Sequence, residues 1–200
     1  MAVPRVGFTR ALKSLYDYID GKSTGGDVPA VTGLTVSHDG AGPYRKTTLT
    51  FTDVAMALTD NAGVIAYVGT KVYDFPDGAI LFLGAKADLA LTKSSTGVNA
   101  DWDGDFSLGT VTASNDASLS STEQDLIPTT ATPQAAAGAT TAKGVSTSTE
   151  ACKVLDGTGT AKDVYLNFLV DDADHNVAGT ACNLIANGTV TLHWVNLGDI

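Results

Sequence analysis

The stretch "DVYLNFLVDD", residues 163–172, alternates strictly, with Val164, Leu166, Phe168 and Val170 on every second position. Successive side chains of extended backbone point to opposite faces, so this spacing puts all four on one face of a strand. The pattern returns in "TVTLHWVNL" (189–197), where Val190, Leu192 and Trp194 share a side. It returns again in "TTLTFTDVAMALTD" (47–60), where Leu49 and Phe51 give way to Val54, Met56 and Leu58. The phase slips between Phe51 and Val54, as a β-bulge near Thr52 or Asp53 makes it do. A chain with about six to eight such runs and no recurring long helical pattern is expected to be all-β. The natural architecture is an antiparallel β-sandwich or a jelly-roll-like barrel.

Turn residues suggest how the strands connect. "VIAYVGTKVYDF" and "AILFLGAKADLAL" flank Pro76-Asp77-Gly78; Pro sets φ and Gly accepts a positive one, which predicts a hairpin. "ACNLIA" and "TVTLHWVNL" flank Asn187-Gly188, a strong short-range hairpin signal. "FSLGTVTA" (106–113) is a further strand candidate. Residues 113–150 are poor in large apolar groups and predict an extended surface excursion. Within it Ser120 and Glu123 have capping-box spacing, enough to start one helical turn before Pro128 stops it.

The beginning of the chain reads differently. Leu12, Leu15, Tyr16 and Ile19 stand at helical spacing, with Thr9 able to cap the start and Gly21 able to end it. The following "GKSTGGDVPAVTG" is a flexible connection by composition. The expected organisation is an N-terminal arm and linker with a short helix over residues 1–46, then a β domain over 47–200.

Charge sharpens that division. Residues 1–46 hold six of the twelve basic residues, including all three arginines, against four acids. The remainder holds six bases against eighteen acids, a body that phosphate backbones would repel, so nucleic acid is not an expected partner. Charged residues are only 17% of the chain and Glu occurs twice, at Glu123 and Glu150. No apolar run approaches the roughly 20 residues that a membrane-spanning helix needs, and no signal peptide is evident. Two cysteines in unlike surroundings, Cys152 and Cys182, predict no disulfide framework.

Candidate chemistry is sparse. In "NADWDGDFSLGT" (99–110) Asp101, Asp103 and Asp105 alternate around Trp102 and Gly104, and hard cations such as calcium want several oxygen ligands. An EF-hand loop, however, would need Gly at 106 and an acid at 112, where Phe106 and Thr112 stand. Alternate carboxylates on a strand are also about 6–7 Å apart, too far for one ion without a turn. These three are weak metal candidates, and a solvated acidic turn with Trp102 packed inward is the simpler expectation. The cluster Asp171, Asp172, Asp174 and His175 reads the same way, as a turn after a strand. With only His38, His175 and His193 as histidines and no nucleophile motif, neither an enzyme nor a cofactor is expected. His193 is expected at a surface or an edge. Asn187-Gly188-Thr189 matches a glycosylation acceptor, which the expected hairpin accounts for without sugar. The arm is the one place where charge and apolar anchors combine: Arg5, Arg10 and Lys13 with Phe8, Leu12 and Tyr16 suit docking onto an acidic partner or a neighbouring subunit. The plain alternative has Leu12, Leu15 and Ile19 covering an open end of the barrel.

The strings "TLTFTDVAMALTDNAGVIAYVGTKVYDFPDGAILFLGA", "LTKSSTGVNADWDGDFSLGT" and "VYLNFLVDDADHNV…CNLIANGTVTLHWVNLGD" resemble a group of small structural proteins of tailed bacteriophages, from about Thr47 to the C-terminus. The resemblance implies a virion component, a capsid cement or decoration protein made in the host cytoplasm. Such a protein would sit on the outer surface of the head as a symmetric oligomer, a homotrimer, and bind the major capsid protein. It implies no active site. The alternative class is a head-fibre or tail-associated adhesion module that binds carbohydrate, with Trp102, Tyr67 and Tyr73 carrying the contact and calcium in the acidic loop. An enzyme such as a depolymerase would need an acid pair that the sequence does not frame.

Overall fold

The computed structural model describes residues 26–40, 43–61, 65–114, 118–171 and 183–198. These form eleven strands: β1 (Leu34–Asp39), β2 (Tyr44–Ala57), β3 (Thr59–Asn61), β4 (Ile65–Asp74), β5 (Gly78–Lys93), β6 (Gly104–Gly109), β7 (Ile127–Thr132), β8 (Ala139–Val145), β9 (Lys153–Gly157), β10 (Asp163–Asp171) and β11 (Asn183–Gly198). The only helical element among the described residues is one 3₁₀ turn, Ser121–Glu123. Its Glu123 side chain accepts from the Ser120 N–H at 2.9 Å, as the capping-box spacing predicts.

Two antiparallel sheets face each other. Sheet A has the order β1-β2-β11-β5-β8, with β9 also paired to β5, and sheet B has the order β3-β4-β10-β6-β7. The chain is thus an all-β antiparallel sandwich, as the alternation predicts. Leu49, Phe51, Phe82, Leu192 and Trp194 from sheet A meet Leu108, Phe106, Val164, Leu166 and Phe168 from sheet B in one core. Phe106 and Phe168 are cross-strand partners with ring centroids 5.6 Å apart, a pairing that adds to the area they bury.

The predicted bulge is present. Val54 pairs with Ala186 and Phe51 with Gly188, so Thr52 and Asp53 both oppose Asn187. Asp53 takes φ 51° there. Its backbone N–H donates to Asn187 Oδ1 at 2.9 Å, and Asn187 Nδ2 donates to Asp53 Oδ1 at 3.0 Å.

Four expectations need correction. Residues 64–91 are not a hairpin: β4 lies in sheet B and β5 in sheet A. Pro76-Asp77-Gly78 instead turns the corner between the layers, with Phe75 N–H donating to Lys162 O at 2.9 Å. Asn187-Gly188 is no turn either, because β11 runs unbroken through it. Gly188 is required because a Cβ there would sit 2.3 Å from the carbonyl oxygen of Asp88 on β5, and its φ is 129°. Residues 113–150 are no loose excursion, since they supply β7 and β8 and bury Leu119, Leu126, Ile127, Ala135 and Ala142. Their small residues are what the fold needs: a Cβ at Gly144 would lie 2.8 Å from the Phe106 ring. Finally, β1 pairs with β2 over residues 34–39, so the body begins at least at Leu34 rather than at residue 47. The predicted helix over 9–21 lies outside the described residues.

Candidate functional site

Asp101, Asp103 and Asp105 lead the chain into β6. Asp101 is exposed at a turn, while Asp103 and Asp105 are half-buried. Trp102 is fully buried and its indole N–H donates to the Gly138 carbonyl at 3.1 Å. Gly104 follows because a Cβ there would meet Leu169 O at 2.0 Å. Burial, and then the charge of Asp171, push the Asp105 carboxyl above its ordinary range. Among the described residues no group of three or more His, Cys, Asp or Glu side chains is arranged to hold a metal ion. Asp172, Asp174, His175 and Cys182 lie outside the described residues, and Cys152 is exposed.

A second ionic cluster, which the sequence reading missed, ties β4 to β10. Lys71 Nζ reaches Asp74 at 3.1 Å and Asp163 at 2.5 Å, and Tyr165 donates to Asp163 at 3.0 Å. Asp74 and Asp163 are direct cross-strand partners, so their environments decide which holds a proton more tightly. Burial raises Asp74. Asp163 is lowered, because hydrogen bonds from Lys71 and Tyr165 outweigh its own burial. The Lys71–Asp74 and Asp163–Tyr165 pairs lie far apart in sequence, on strands whose partnership no local pattern discloses.

Polar side chains also reach into the core of sheet A. Trp194 Nε1 donates to Thr47 Oγ1 at 2.9 Å, and His38 Nδ1 lies 3.0 Å from the same oxygen. Arg45, 2% exposed, donates to Tyr44 O at 2.8 Å. Burial, then the charge of Arg45, lower the His38 pKa and favour its neutral form. Tyr73, packed edge-on against Phe75 at 5.3 Å, accepts from the Gly26 N–H at 2.9 Å. The Trp194–Thr47–His38 contacts clamp β11, β2 and β1 together, since a buried polar group without a partner is costly.

The two central strands differ in what covers their outward sides. In sheet B residues 109–114 and 118–124 lie over β10. Asn167, fully buried, accepts from Ala113 N–H at 2.8 Å and donates to Val111 O at 3.0 Å and Glu123 O at 2.7 Å. Gly69 lets this cover approach, since a Cβ there would sit 2.1 Å from Thr112 Oγ1. In sheet A the outward residues of β2 and β11, Thr48, Thr50, Thr189, Thr191 and His193, stay partly or fully exposed. The register aligns Thr35, Thr50, Thr189, Asp88 and Lys143 in one row across five strands. His193 is therefore on a central strand rather than an edge. It bonds Tyr44 Oη at 2.7 Å beside a cleft of about 400 Å³ that Leu83, Gly84, Lys86 and Ser146 also line.

Of the aromatics in the carbohydrate reading, Trp102 and Tyr73 are fully buried, and only Tyr67 meets solvent, half-buried on a small cluster with Ile65, Ala113, Leu119 and Leu169. Arg5, Phe8, Arg10, Leu12, Lys13 and Tyr16, the expected partner-binding set, lie outside the described residues. Among the described residues no helix is long and apolar enough to cross a membrane. Comparison with known proteins finds no matching family model, no matching curated protein and no matching solved structure.

Proposed function

We propose that this chain is a structural protein of a tailed-phage virion, a cement or decoration protein that binds and stabilises the major-capsid lattice as a homotrimer. In this reading it sits on the outer surface of the head and makes or breaks no covalent bond. The observation that carries the reading is the asymmetry between the sheets: the chain covers β10 with its own residues 109–114 and 118–124, while the face of β2 and β11 keeps a row of hydroxyl and charged groups five strands wide. A broad, rigid face of this kind suits lateral contact with another protein rather than enclosure of a small molecule. The sequence resemblance supports the same role. Contacts of about 1,200–2,000 Å² per joint give a stable interface, and three linked copies strengthen weak contacts through avidity.

Bare capsids incubated with purified protein are expected to bind it in a saturable manner. Replacing two register partners on the open face, Thr50→Arg with Thr189→Arg, should lower occupancy at least about tenfold by steric and charge clash while the thermal melt stays unchanged. Deleting residues 1–22 is expected to abolish binding and leave the body folded. Equal occupancy for the double-arginine variant, or absence of the protein from purified particles, would overturn the proposal.

A further inference from the structure

The open face of sheet A changes character at one end. Tyr44, Val195, Leu81 and Val154 form a single register row across β2, β11, β5 and β9. All four point away from the core, because their chain neighbours Arg45, Trp194, Phe82 and Leu155 are the buried ones. Tyr44 is 37% exposed and Val154 57% exposed. Leu83 borders the cleft beside Tyr44, and Leu197, 40% exposed, lies two residues beyond Val195. Four strands at about 4.8 Å spacing make this apolar row about 14 Å long. It has no part in the core.

The chain itself contains a segment that fits. Gly26, the first described residue, lines one cavity with Asp74, Asp77 and Asn196, the chain neighbour of Val195. In the sequence before it Phe8, Leu12, Leu15, Tyr16 and Ile19 recur at helical spacing. Eleven helical steps from Phe8 to Ile19 span about 16 Å, close to the length of the row. The six residues 20–25 reach up to about 20 Å when extended, enough to join the two. Charge agrees as well: Asp27, Asp77 and Asp156 are exposed at this end of the body, and the segment carries Arg5, Arg10 and Lys13.

We propose that residues 8–19 pack in cis on the Tyr44–Val195–Leu81–Val154 row of their own chain, apolar side down. Attachment only a few residues away gives the segment a millimolar-scale effective concentration, which favours its own body over a neighbour's. The inference goes beyond the virion reading and does not depend on it. It makes the outward surface of sheet A a composite of sheet and docked arm.

Limited trypsin digestion of the full chain, read by mass spectrometry, tests this at Arg10 and Lys13. In the wild type both sites should be cut at least about tenfold more slowly than in Leu12→Asp/Leu15→Asp or in Leu81→Asp/Val154→Asp. Thermal melts of the body check that it stays folded, and the arm variant keeps the test valid if the sheet variant does not. Protection should be unchanged over a hundredfold dilution. Rapid cleavage in the wild type, or protection unaffected by the arm variant, would overturn the proposal. So would protection that a folded sheet variant retains, or that disappears on dilution together with an oligomer, since the latter means that a neighbour's arm is bound. Capsid binding is measured separately, so either idea can fail alone.

Discussion

β10 and β11 are both central strands with the same inward alternation, yet their outward sides have opposite fates. On β10 the outward Asn167 is a buried junction with three hydrogen bonds to a covering segment; on β11 the outward Thr189, Thr191 and His193 remain open or half-open. A sandwich needs only one buried face per sheet. Covering a second face is thus a choice made by particular residues, here Asn167, Gly69 and Glu123, and the uncovered face is where a partner has access. The difference separates the residues that hold the molecule together from those free to serve contact.

The largest expected effect breaks the covered side. Asn167→Ala leaves the Ala113 N–H and the Val111 and Glu123 carbonyls with a buried partner missing, at an expected cost of about 3 kcal/mol or more. The corresponding outward change on β11, Thr191→Ala, should stay within about 0.5 kcal/mol. Equilibrium urea unfolding of the two variants measures the contrast directly, and equal costs would erase it. A middle-sized effect tests the inward side of sheet A. Thr47→Val removes the acceptor of the Trp194 indole N–H and should cost about 1–3 kcal/mol, seen as a lower unfolding midpoint with an unchanged urea dependence.

The smallest effect depends on pH. Asp105 has a folded-state pKa raised by burial and by Asp171, so the folded state favours its protonated form. Its contribution is favourable in acid and is lost as pH rises through the folded value. Asp105→Asn is therefore expected to raise the melting temperature slightly at pH 7. The gain should vanish once the pH falls below the range in which this carboxyl titrates. A gain that persists in acid would mean that packing, not charge, is responsible.

Much of the fold was legible in the residues. Alternation marked β10 and the second half of β11 with their correct inward faces, and the phase slip located the Asp53 bulge. Pairing was not legible, because a turn dipeptide reports backbone freedom and not which sheet comes next. Gly188 accommodates the close approach of β5, and Pro76-Asp77-Gly78 changes layer. Residues 113–150 were misread because Thr and Ala strands bury little area each, while the ring of Phe106 against them supplies the bulk. Sequence reading did find the acidic stretch and the inward Trp102. It missed the Lys71–Asp74–Asp163 cluster and the Tyr44–Val195–Leu81–Val154 row, whose members come from distant strands and sit in the outward phase that an inward-face reading discards.

The central position of β11 between β2 and β5 also bears on how the molecule is made. A ribosome delivers β2 and β5 about a hundred or more residues before the strand that must bridge them, so both hold unsatisfied backbone donors and acceptors throughout that interval. Sheet A closes only after the last of the eleven strands emerges, which makes assembly a late and strongly non-local event. A chain cut short before Asn183 would carry two sticky edges in place of a centre.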